Sequence, residues 1–407
     1  SNSRVPRWFT EGLSEWESEL DDPDWTRRTH AELYGALRSG QLLPIEKLNA
    51  GFTRARSISG IVVAYHEAAE VMGFLVKRFG FPKIVQALRL FAKGQRAEEI
   101  LPQITGQSLP ALNQGFREHL AERLAAYRGT FVLRPSEYAD LEDLEKRVKE
   151  APAEARAHGL YALGLLKGGD AKKALAEAQA AQRLDPRCLE GMIAEAEALL
   201  RGKDSTGAEA KLRALLQVQE SYDARERLGE ILAARAETQR AKVAGTPAGT
   251  PAATPATPTT SAQPLPGEAE FQAAKRLDPD RDEPYVELAR IYERAGRTDA
   301  ALKEWMAAAR LDVMDGGLWQ KTVKKLFEHK RWAQVAEYGA GARLLSPYNG
   351  ELRAQIGEAL LQLGRRGEAA VELDAALAAL PEPSDEEDAA SLKTRRELTV
   401  GDKTYVY

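Results

Sequence analysis

Five histidines, at positions 30, 66, 119, 158 and 329, and one cysteine, Cys188, are the scarce residues through which this 407-residue chain could do metal or nucleophilic chemistry. A hydrolytic zinc site of the HExxH kind needs two imidazoles one helical turn apart, a glutamate between them to polarise the bound water, and a third ligand from a later helix. No two of the five histidines stand four residues apart. The nearest approach is His66-Glu67-Ala68-Ala69-Glu70, an HExxE pattern with His66 and Glu70 one turn apart. Around it Ile61, Ala64, Tyr65, Ala68, Met72, Leu75 and Phe79 form a separate apolar stripe, so His66, Glu67 and Glu70 are expected on a solvated helix face. Cys188, with no histidine near it in sequence, is expected to be a buried structural thiol, and a lone cysteine excludes an internal disulfide framework. No G-x-S-x-G elbow is present, and Gly159, Gly164, Gly168 and Gly169 follow no strand that could present a phosphate loop. The run Glu15, Glu17, Glu19, Asp21 and Asp22 reads as acidic surface.

The elements that must position these groups have two textures. Residues 4–130 read as aromatic-rich helices without a repeat, opening on Pro6-Arg7-Trp8-Phe9-Thr10-Glu11-Gly12-Leu13-Ser14-Glu15-Trp16. This run resembles the segment of gluzincin metallopeptidases in which Trp-x-x-Glu-Gly-x-(Ala/Ser) on a helix supplies the third zinc ligand. The succession through Tyr65, Leu75 to Gly80, Ile84 to Gly94 and Phe116 to Tyr127 is similar to the carboxyl-terminal half of a peptidase-MA-like domain. The resemblance implies that Glu11 is a metal ligand, that Tyr65 or His66 stabilises an oxyanion, and that the protein works in the bacterial envelope or periplasm. In gluzincins the HExxH helix lies roughly twenty residues before the ligand glutamate, whereas only ten residues precede Glu11. The expectation is therefore that the chain as given binds no zinc and is inactive, and that a longer parent carrying HExxH would be the zinc metallopeptidase.

The second texture is periodic. Pro279, Val313, Pro347 and Pro381 stand at 34-residue intervals, each closing a helix with an Leu-Asp, Leu-Ser or Leu signature. Within residues 282–315, Tyr285, Leu288, Ala289 and Tyr292 mark one helix, Gly296 the turn, and Ala301, Trp305 and Ala308 a second. Residues 316–347, 350–381, 155–186 and 189–220 repeat the pattern with more or less fidelity. Such spacing resembles the tetratricopeptide repeat and implies an all-α chain: a helical globule at 4–130, then about six helix pairs over 150–381 stacked as an α-solenoid. One repeat, Tyr222 to Leu277, carries a Pro/Thr/Ala-rich insertion at 243–267 that is expected to be a disordered loop. The resemblance places a protein or peptide partner in the concave groove, against Arg290, Glu293, Arg294, Gln320, Lys324 and Glu358. Their mixed signs suggest a polar partner without a dominant charge. The tail, 382–407, starts acidic and ends in β-prone residues around Gly401-Asp402 that suit a small hairpin.

Composition sets the outer limits. With 57 basic and 61 acidic residues the net charge is −4, which argues against a nucleic-acid binder held by a large basic field. No apolar run approaches the roughly 18 to 20 residues that span a bilayer. The chain lacks a start Met and a signal-peptide pattern, and Ser1-Asn2-Ser3 reads as residues placed ahead of an internal start. The functional expectation is a repeat scaffold for protein–protein interaction, the alternative being the carboxyl-terminal part of a zinc peptidase.

Overall fold

The computed structural model describes residues 5–21, 30–38, 40–53, 58–244, 263–379, 397–400 and 403–406. The fold is all-α, with only two short strand pairs among the described residues. Two compact units divide the chain between Asp280 and Arg281.

The first unit opens with a globule built around one long helix. Helix α1 (Arg7–Asp21) is followed by α2 (His30–Arg38), α3 (Asn49–Thr53), α4 (Ile58–Phe79), α5 (Phe81–Ala92), α6 (Ala97–Thr105) and α7 (Leu109–Arg123). Neighbours α1, α2, α3, α5 and α7 all lie against α4. Trp8, Phe9, Met72, Leu75, Phe91 and Phe116 fill the core between them, each at most 2% exposed. Helices α1 and α4 run in the same direction, since Arg7 meets Tyr65, Gly12 meets Ala68 and Trp16 meets Gly73. Their approach is so close that a β-carbon on Gly12 would stand 2.6 Å from the carbonyl oxygen of Ala68. Only glycine permits that crossing.

Three helix pairs complete the unit. After α8 (Leu141–Glu150) come α9 (Ala155–Lys167) with α10 (Ala171–Leu184), α11 (Leu189–Arg201) with α12 (Ser205–Val218), and α13 (Tyr222–Ala244) with α14 (Glu268–Leu277). Asp140, Asp170 and Asp204 cap helix starts by accepting a backbone N–H three residues on, which explains why short acidic turns punctuate the alanine-rich runs. Ala174 and Ala208, 34 residues apart, are fully buried at the helix crossings. The insertion interrupts α13/α14 without separating them, because Phe271 is buried against Gly229, where a β-carbon would lie 2.7 Å from its ring. The expectation of a disordered insertion concerns mainly residues 245–262, which lie outside the described residues. A two-residue parallel pair that the sequence does not announce, β1 (Thr130–Phe131) with β2 (Glu220–Ser221), joins the globule to this region. The hydrogen bonds of Tyr127 Oη to Asp278 (2.8 Å) and of the Ser136 N–H to Glu32 (2.9 Å) reinforce the join.

The second unit contains α15 (Glu283–Arg294), α16 (Thr298–Leu311), α17 (Gly316–Glu328), α18 (Trp332–Leu345), α19 (Gly350–Gln362) and α20 (Arg366–Ala378), packed as three consecutive pairs. The sequence period becomes a packing period here. Ala301, Val335 and Ala369 form one series at 34-residue intervals, Ala308, Ala342 and Ala376 another, and every member is at most 1% exposed. Trp305 and Tyr338 fill the space that these small side chains leave. Asp315 and Asn349 cap α17 and α19. The unit ends in an antiparallel hairpin of β3 (Glu397–Val400) and β4 (Lys403–Val406), with Glu397 opposite Val406, and β3 lies against α19. The acidic stretch before it, 382–388, falls outside the described residues.

Candidate functional site

Two places bring chemistry-bearing groups together. The first is the α1/α4 seam. Arg7, at the start of α1, donates from Nη2 to the Tyr65 hydroxyl (2.8 Å) and from Nε to Glu11 (3.1 Å), with its guanidinium over the Phe52 ring. Two of the three residues singled out from sequence, Glu11 and Tyr65, are thus gathered by one arginine to which the sequence assigned no role. His66, the third, is buried, and desolvation lowers its pKa against the opposing charge of Glu15. Its Nδ1 is buried and accepts or donates no hydrogen bond.

The expected solvated face of α4 is overturned. His66, Glu67 and Glu70 are 8%, 3% and 5% exposed, while Ile61 and Val62 of the same helix are open. The physical reason is crowding, since neighbours surround α4 and its polar side has to be satisfied inside. Glu67 accepts the Leu43 N–H at 2.9 Å, and burial pushes its pKa up to about 8. Glu70 accepts from Arg123 Nε at 2.6 Å, and burial outweighs that partner, bringing its pKa up to about 7. Arg123 also pairs with Glu19, so this member of the supposed surface run is an internal tie. Cys188 is buried at the start of α11, and desolvation raises its thiol pKa.

The donors present do not make the implied zinc site. Glu11 offers one carboxylate, a third exposed and already paired with Arg7. Among the described residues the group of three possible ligands within reach of one another is Glu19, His30 and Glu70, whose donor atoms lie within 4.8 Å. The Arg123 guanidinium binds both of its carboxylates, so its charge is balanced from within.

The second place is the row of first helices in the second unit, α15, α17 and α19. Arg290 pairs with Glu287 on its own helix. Glu293 reaches across to Lys325 at 3.3 Å, and Lys324 reaches Glu351 at 3.6 Å. Gln320 donates to Ser346 Oγ (2.5 Å) and accepts from Asn349 (2.8 Å), which makes it a tie between repeats rather than an open contact. Arg294 and Lys324 are exposed. Glu358 corrects the expectation: it is 4% exposed and accepts from Gln362 at 2.7 Å. The reading also missed Lys321, whose ammonium stands 4.3 Å from the centre of the Trp305 ring. Desolvation and the nearby Arg290 lower its pKa. The signal was available, because Lys321 lies three residues before Lys324 and so on the same helix face, but a cation above a buried tryptophan cannot be read from period alone.

No family profile and no curated protein matches the chain. Among solved structures it is similar to YrrB, described as a TPR protein with an unusual peptide-binding site, at 13% identity and TM-score 0.31, covering 60% of this chain and 95% of that one. PilF of Pseudomonas aeruginosa aligns at 16% identity and TM-score 0.37, covering 54% and 89%. The Cut9–Hcn1 assembly of the APC/C aligns at 12% and 0.35, covering 90% and 72%. With scores this low the likeness carries no argument, and the helix pairs stand on their own packing. No helix among the described residues is long and apolar enough to cross a membrane.

Proposed function

We propose that the chain is a protein-interaction scaffold whose second unit receives a protein or peptide on the face formed by α15, α17 and α19. The observation that carries this reading is that Arg290 and Lys324, 34 residues apart on successive first helices, stand among charged groups of both signs, Glu293, Arg294 and Lys321, with Glu293 reaching Lys325 and Lys324 reaching Glu351 from helix to helix. A repeat array uses its hydrophobic positions to stack and leaves this face free to vary with its partner. Several of these charges already satisfy one another, so the partner has to be polar and to exchange ion pairs rather than supply a single opposite charge. The test is a photo-crosslinking residue at position 324, compared with one at the exposed position 340 on α18. The expected result is a discrete crosslinked partner from 324 and none from 340. Equal labelling at both positions, or none at 324, overturns the reading.

A second reading rests on the sequence resemblance of Pro6 to Trp16 alone: the amino-terminal globule would be the later part of a gluzincin peptidase domain, completed by an HExxH helix preceding residue 4, with Glu11 released from Arg7 to take the metal. In a longer chain containing that helix, Glu11→Ala should remove zinc and hydrolytic activity together, while retention of both would refute it.

A further inference from the structure

The three first helices of the second unit are not equally open. Lys324 on α17 is exposed, and its equivalent 34 residues later, Glu358 on α19, is 4% exposed. Lys321 is exposed, and its equivalent, Gln355, is 7% exposed. The gradient runs against what stacking alone produces. Helix α17 has a helix pair on either side, whereas α19 belongs to the last pair, where a terminal repeat should show more of itself to water. Besides its repeat neighbours, α19 has strand β3 lying against it, a contact that no other first helix of the unit shows at the same strength.

We infer that the carboxyl-terminal hairpin is a resident occupant of the partner-binding face at α19, so that the face open to a partner is confined to α15 and α17 until the hairpin is displaced. This rests on the scaffold reading above and adds its regulation. An extended backbone pair laid on a helical face is the shape that a bound peptide would take there, and it is tethered to the same chain, which makes its local concentration high without a strong intrinsic affinity. Gln355 donates to Glu351 and Glu358 accepts from Gln362, both along α19 itself, and a carboxylate so placed opposes permanent burial because its desolvation is costly. It suits a surface that is covered at one time and wet at another.

The test follows thiol accessibility, with Cys188→Ser as background so that the introduced cysteine is the single thiol. Glu358→Cys, Gln355→Cys and Lys324→Cys are each made in the full chain and in a chain ending at residue 392. In the full chain, alkylation at 358 and 355 should be at least about tenfold slower than at 324, reflecting an opening equilibrium. Removal of 393–407 should bring all three within about threefold, and a synthetic peptide of residues 393–407 added in trans should restore the protection. Equal rates in the full chain overturn the inference. So does protection that persists in the shortened chain while circular dichroism reports unchanged helix content, since α19 would then be covered by its own repeat. A peptide that restores nothing overturns the idea of a displaceable occupant. The labelling needs no partner, so crosslinking at 324 can fail while the hairpin result stands, and the reverse.

Discussion

At the scale of single residues, the α1/α4 seam is where the chain keeps its most expensive groups. Glu67 is held neutral up to a pH of about 8, against an ordinary value of 4.5 in the unfolded chain. A carboxyl whose folded pKa is raised contributes stability that is complete below pH 4.5 and is lost as the pH climbs through about 8. Glu67→Gln keeps an oxygen for the Leu43 N–H and removes the titration. The expected result is a gain on the order of 1–3 kcal/mol at pH 8 and almost none at pH 4.5, read as a flatter dependence of urea midpoint on pH. An unchanged slope would place the titration elsewhere. Gly12→Ala puts a methyl against the Ala68 carbonyl and should cost about 1–3 kcal/mol by forcing α1 away from α4, again measurable by urea unfolding.

At the scale of elements, the difference between what was legible and what was not has a physical basis. The pairs of the second unit were legible because each buries the same few positions, Ala301, Val335 and Ala369 among them, and a packing requirement that recurs at fixed spacing leaves a trace in sequence. The fate of α4 was not legible. Whether His66, Glu67 and Glu70 face water depends on how many helices surround α4, and the partners of Glu67 and Glu70, Leu43 and Arg123, come from elsewhere in the chain with no spacing rule. Glu358 was misread for a similar reason, since the repeat spacing places it on α19 but does not say how deeply the neighbouring elements bury it. Trp305 shows how much one periodic position carries. It is fully buried under Lys321, and Trp305→Ala should cost about 3–5 kcal/mol, lowering the melting temperature of the second unit. A loss below about 1 kcal/mol would mean that the pair recloses around the cavity.

At the scale of the whole molecule, the division between Asp280 and Arg281 falls within the expected run of repeats, not between globule and repeats. The first three helix pairs are bound up with the globule through Tyr127–Asp278, Glu32–Ser136 and the β1/β2 pair. The last three pairs share a core of their own. Residues 281–407 expressed alone should therefore be helical and melt cooperatively by circular dichroism, because repeat arrays are stabilised by nearest neighbours rather than by distant contacts. A flat melt would show that the unit depends on the rest of the chain.

The closure of Phe271 on Gly229 bears on how much foreign sequence this protein can carry. Both ends of the Pro/Thr/Ala-rich stretch are anchored in one helix pair, and the entropy of closing a loop grows only with the logarithm of its length, so each doubling adds about 0.6 kcal/mol. The junction at 245–262 is thus a natural port for grafting: a reporter domain or affinity tag spliced there should ride on the scaffold with the α13/α14 pair still closed, read as an unchanged melting temperature.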